Sequence, residues 1–186
     1  MSKNCSSPGF CALLVSERET RTVAASSAGT DIAAFREAAL SCPIPMAVEL
    51  IGEKWAFLIL RGAFNGLEHF EQFQAGLGIA RNILSDRLGK LVAGGIMERT
   101  PDPSDKRKVI YALTEKGEDL LPAVLAMRQW GERWACGGEA SVVLADNVSG
   151  QPIRPICVQA QDGRQLARGD LMWISREEFL KRDRAA

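Results

Sequence analysis

Between residues 46 and 134 the apolar positions recur at helical spacing, change briefly to alternation, and then return to helical spacing. Met46–Phe64 reads as one long helix. Val48, Ile51, Trp55, Leu58 and Ile59 mark one face, and Leu50, Phe57, Leu60 and Phe64 mark a second. Apolar residues on so much of the circumference predict burial on more than one side. Asn65-Gly66 predicts a turn. His69–Ala75 predicts a short helix with Phe70 and Phe73 inward, and Gly76-Leu77-Gly78 a tight break after it, since glycine accepts the backbone angles of such a turn. The next helix is expected over Ile79–Ala93, with Ile83, Leu84, Leu88, Leu91 and Val92 inward and Gly94-Gly95 as its stop. Ile96–Arg99 and Val109–Leu113 read as strands around a polar turn at Thr100–Lys106. Thr114 is a cap candidate. Glu118–Trp134 is a long amphipathic helix, with Leu120, Leu121, Val124, Leu125, Met127, Trp130 and Trp134 apolar and Pro122 near its first turn.

The flanks differ in texture. Residues 1–30 are rich in Ser, Ala and Thr and read as a flexible tail. Asp31–Leu40 predicts a short helix through Ile32, Phe35, Ala39 and Leu40, stopped by Cys42-Pro43-Ile44-Pro45. After Gly138, short β-like runs (Ser141–Ala145, Ile153–Ala160, Leu171–Ile174) alternate with turns at Asp146-Asn147 and Asp162-Gly163. These predict a small β-rich appendage, closed by a helix over Ser175–Arg182 with Ser175 as cap and Glu178 three residues on. The expected organisation is thus a tail at 1–30, a main domain at 31–137 and an appendage at 138–186.

Charge changes this picture locally. The 186 residues carry 23 basic and 23 acidic side chains, which argues against a simple polybasic nucleic-acid binder. Between Ile79 and Gly117, however, eight basic residues face five acidic ones. The five cysteines (Cys5, Cys11, Cys42, Cys136, Cys157) form no C-x-x-C pair, so neither a zinc site nor a disulfide framework is expected, and reduced thiols in a cytoplasm are the plain reading. No apolar run suits a signal peptide or a membrane span. With one histidine, and no carboxylate pair, phosphate loop or nucleophile elbow, an enzyme is not expected and no cofactor is implied.

Helix, helix, glycine turn, helix, strand, polar turn, strand is the order of a winged helix-turn-helix, a mainly α fold with a small β component. The third helix of such a unit presents its polar face to the DNA major groove, which is wide enough to admit it. Here that face comprises Arg81, Asn82, Ser85, Asp86, Gly89 and Lys90. Arg81 and Asn82 suit bidentate contacts to guanine and adenine edges; Ser85 and Lys90 suit phosphates; Arg87 could reach the DNA backbone, or pair with Asp86 or a wing acid. A solvated amphipathic helix is the bland alternative. Lys106, Arg107 and Lys108 in the turn suit phosphate clamps, or simply keep an edge strand in solution. Asp102 and Asp105 dilute the local field. His69 is expected on a polar helix face.

CPIPMAVELIGEKWAFLILRGAF, HFEQFQAGLGIARNILSDRLGKLVAGGIMER and YALTEKGEDLLPAVLAMRQWGERW, spread from about Cys42 to Trp134, resemble the HxlR-type winged helix-turn-helix regulators. The resemblance implies a homodimeric transcription regulator, expected to be a repressor, on a pseudo-palindromic double-stranded DNA operator, with Ile79–Ala93 as reading helix. It implies dimerisation through terminal helices, here Asp31–Leu40 and Glu118–Trp134, with Phe35, Leu121, Leu125, Trp130 and Trp134 as contacts. It also makes Cys42 a candidate redox sensor, against a structural role as a small buried residue, and leaves room for a small-molecule effector. Two departures stand out: the wing reads SDKRK where a more proline-rich, less charged tip is usual, and only Cys157 stands where some longer members carry paired cysteines. The alternative is a winged-helix protein-interaction module that binds no DNA.

Overall fold

The structure is a computed structural model that describes residues 42–135 and 140–184, with Ile32, Arg36 and Ala39, each in helical backbone. The tail expected at 1–30, and Phe35, lie outside the described residues. The described residues divide into two units, one running through Gln165 and a second that begins at Leu166.

The first unit opens with a departure from expectation. The single helix read over Met46–Phe64 is two helices, α1 (Ile44–Ile51) and α2 (Lys54–Phe64). Gly52 donates its N–H to the Val48 carbonyl at 2.7 Å, and Glu53 then takes extended backbone (φ −94°, ψ 142°), which ends one hydrogen-bond ladder before the next begins. The prolines expected to stop the preceding helix also start the next one. Pro43 caps α1 and Pro45 lies in its first turn, where a missing N–H forfeits no helical bond.

α3 (Phe70–Leu77) and α4 (Arg81–Ala93) follow, then β1 (Met97–Pro101) and β2 (Val109–Leu113). The strands pair antiparallel, from Met97 opposite Leu113 to Pro101 opposite Val109. Ile79, expected inside the reading helix, lies in the core two residues before it. Thr114 caps a short α5 (Glu115–Glu118), its hydroxyl accepting the Gly117 N–H; α6 (Leu121–Trp134) then runs with Pro122 in its first turn. The helix read from Glu118 is thus split.

The core lies where α2, α3, α4 and β1 meet. Ile59, Leu60, Phe73, Leu84, Leu88, Leu91, Ile96 and Met97 are all but fully buried. α1 buries no residue, and Ile44, Met46 and Val48 stand well exposed on it. Among the described residues, no helix is long and apolar enough to cross a membrane.

The expected β-rich appendage is corrected. Ser141–Ala145, Ile153–Ala160 and Leu171–Ile174 form no strand; only the isolated bridges Ala145–Pro152 and Gln159–Gln165 occur. The two bridges each close a turn, and Leu171–Ile174 joins neither, so no ladder extends. Gln129 of α6 tethers this segment, donating from Nε2 to the Arg154 carbonyl (3.2 Å) and accepting the Ile156 N–H (2.8 Å). In the second unit a 3-10 turn at Arg168–Asp170 precedes α7 (Arg176–Asp183), which Ser175 caps through the Glu178 N–H.

Candidate nucleic-acid interface

The turn between α3 and α4 is set by Gly78, which ends α3 in left-handed backbone (φ 61°, ψ 29°), a conformation that costs glycine little. Ile79 then buries, Ala80 extends, and α4 begins at Arg81. With Leu84, Leu88 and Leu91 inward, α4 turns Arg81, Asn82, Ser85, Asp86, Gly89 and Lys90 to solvent. The Arg81 guanidinium lies over the Phe70 ring, 4.9 Å from its centre, which orients its planar fork.

Arg87 is placed differently. It is half-buried and pairs with Glu53 at the head of α2 and, at 3.3 Å, with Asp86. Lys90 shares both acids, at 3.4 Å from Asp86 and 3.9 Å from Glu53. Of the two ways open to Arg87, the structure shows the ion pair. Glu53 was not singled out from the sequence, because its partners lie more than 30 positions away and no local spacing announces them.

The wing turn is built on Asp102, which is buried rather than a surface charge diluting the field. Its carboxylate accepts the Ser104 hydroxyl and N–H, both at 2.7 Å, and more distantly the Asp105 N–H. The Ser104 hydroxyl and N–H hold its carboxyl below the ordinary value, against the opposing effect of burial. His69 is also corrected. It stands at the N-cap of α3 with its backbone bridged to Ile110, and its Nε2 lies 3.4 Å from Asp102 Oδ2. Through this contact and the Tyr111 N–H donated to the Glu68 carbonyl (2.7 Å), the wing is held to the helix pair.

At the tip, Asp105 accepts Arg107 Nε (3.1 Å) and Nη2 (3.2 Å), and these bonds hold the Asp105 carboxyl below its ordinary value. Lys106 and Lys108 are exposed and, among the described residues, pair with no carboxylate. The wing therefore offers two free ammonium groups and one guanidinium already engaged.

Of the candidate dimer contacts, Trp130 and Trp134 are 65% and 64% exposed, far more than two isolated tryptophans would normally be. Leu121 is also exposed, and Leu125 is half-buried beside Val142, Leu144 and Ile153. Cys42 is a free, half-buried thiol just before α1. No group of His, Cys, Asp and Glu suited to hold a metal occurs among the described residues.

Comparison with known proteins agrees with this architecture. The family described as HxlR-like helix-turn-helix matches residues 50–138. An uncharacterized HTH-type transcriptional regulator of Mycobacterium tuberculosis is 47% identical over 88 residues, which span 47% of this chain and 56% of the relative. One from Synechocystis is 35% identical over 94 residues, 50% of this chain and 70% of the relative. The crystal structure of PA1607, a candidate transcription factor, superposes with a TM-score of 0.69 at 43% identity, covering 73% of this chain and 95% of that one. On these matches and on its own winged-helix geometry, the chain belongs to the HxlR-like helix-turn-helix family.

Proposed function

We propose that this protein is a sequence-specific, DNA-binding transcription regulator that acts as a homodimer on a pseudo-palindromic operator. The observation that carries the reading is the outward polar face of α4, with Arg81 and Asn82 at its N-terminal end, beside a wing on which Lys106 and Lys108 pair with no carboxylate among the described residues. A helix of this kind reads base edges from the major groove, while wing cations hold phosphates. Dimerisation is supported by the unpartnered apolar side chains of α1 and α6, Trp130 and Trp134 foremost. Residues 31–137 then form the DNA-binding and dimerisation domain, and 138–186 an appendage to it. Repression follows if the dimer occupies a promoter and blocks polymerase. Cys42, a free thiol ahead of α1, is where an oxidant or electrophile would act.

Selection from a random duplex library tests this reading. Wild-type protein is expected to enrich a site with two-fold symmetry, and Arg81→Ala or Asn82→Ala should each lose about 1–3 kcal/mol of discrimination at one base pair per half-site. A protein that enriches no sequence would be an interaction module instead, and a preference that survives both changes would mean that residues other than Arg81 and Asn82 read the bases.

A further inference from the structure

We propose that Glu53 restrains DNA binding by occupying, as an intramolecular stand-in for phosphate, the cations on one flank of the reading helix. The inference rests on the DNA-binding reading above. Glu53 belongs to the scaffold, at the start of α2, yet its carboxylate contacts Arg87 and lies 3.9 Å from Lys90 on α4. A carboxylate and a phosphate present the same anionic oxygens to a guanidinium, so each displaces the other. Arg87 needs such an anion. Its side chain is 20% exposed, and Nε and Nη1 are buried with no hydrogen-bond partner. Asp86, 3.3 Å from Arg87 and 3.4 Å from Lys90, neutralises part of the charge from within α4. Glu53 supplies the rest from outside the helix, so a phosphate approaching this flank meets cations already paired with carboxylates and a nearby negative charge. This local neutralisation is consistent with a chain of zero net charge carrying a DNA-binding face.

Glu53→Gln removes the competing charge and keeps the shape. One additional phosphate held per protomer is two per dimer, which corresponds to about 60-fold in affinity at 0.1 M salt and a log–log salt slope steeper by about 1.8. Because phosphates carry no sequence information, the increase should be equal for a random 30-base-pair duplex and for the selected site. In an Arg87→Gln, Lys90→Gln background the same change should give no increase. Fluorescence anisotropy across a salt series reads all of these. An unchanged affinity, or an increase of equal size in the background lacking both cations, overturns the proposal, the latter by showing general repulsion. Glu53→Asp, with a carboxylate one methylene shorter, serves if thermal melting shows Glu53→Gln to be unfolded; a smaller increase dependent on Arg87 and Lys90 supports the proposal, and no increase overturns it. Wild-type protein that binds neither duplex removes the DNA-binding reading and this inference together, whereas normal wild-type binding with an inert Glu53 removes only the inference.

Discussion

Replacing Lys106, Arg107 and Lys108 together by glutamine should cost each wing between about 60-fold and 500-fold in DNA affinity at 0.1 M salt. The range follows from counterion release. Each phosphate neutralised contributes about 0.9 to the log–log salt slope, so giving up two phosphates corresponds to about 10^1.8 and giving up three to about 10^2.7 at 0.1 M. Geometry separates these values. Lys106 and Lys108 are free to meet phosphates, whereas Arg107 is held by both oxygens of Asp105. A loss near the lower figure, with a slope shallower by about 1.8, means that Arg107 stays with Asp105 on the DNA; a loss near the upper figure means that it exchanges Asp105 for a phosphate. Base preference should not change in either case, because the wing is assigned phosphates alone. A salt slope equal to that of wild-type protein would show that the wing does not touch the duplex.

What the sequence reveals of this surface depends on how local the cause is. The face of α4 is readable because Leu84, Leu88 and Leu91 recur at helical spacing and the buried side fixes the exposed one. Val109–Leu113 is readable because alternation and a turn lie within a few residues. The break between α1 and α2 is hidden, since the helical spacing from Ile51 to Trp55 continues across Gly52 and Glu53, and only the extended backbone of Glu53 interrupts the helix. Ile79 extends the apparent periodicity of α4 because it packs in the same core without sharing the helix. The β-like runs after Gly138 are short and apolar, as strands are, but lack a partner, and composition alone cannot supply one. At the site, Arg81 and Asn82 follow from the helical wheel. The pairing of Arg87 with Glu53 and the burial of Asp102 are set by tertiary contacts that leave no trace in local spacing.

Gly117→Ala should destabilise the winged-helix unit by about 3 kcal/mol or more, the upper range for overpacking at a site that cannot relax. The pressure comes from backbone. A Cβ at position 117 would press far inside van der Waals contact with the Ile96 carbonyl oxygen and lie 3.0 Å from Leu113 Cδ2. α5 cannot simply back away, because it is lashed to the end of α4 and the start of β1. The Thr114 hydroxyl donates to the Gly95 carbonyl at 2.7 Å and accepts the Gly117 N–H, the Thr114 N–H bonds the Ile96 carbonyl at 3.1 Å, and Lys116 Nζ reaches the Gly94 carbonyl at 2.8 Å. Relieving the clash means giving up several of these bonds at once and moving Ile96, which is 1% exposed in the core. At a denaturant dependence of about 2 kcal/mol per molar, the urea midpoint should fall by about 1.5 M. Thr114→Ala, which loses the cap and the hydroxyl's bond to the Gly95 carbonyl but introduces no clash, should cost about 1–2 kcal/mol. The contrast isolates close approach from capping. An alanine variant that unfolds at the wild-type midpoint would mean that α5 is not seated against β1. Because that seat joins the reading helix to the wing, Gly117→Ala should also weaken DNA binding, and restoring the folded population by cooling should recover it.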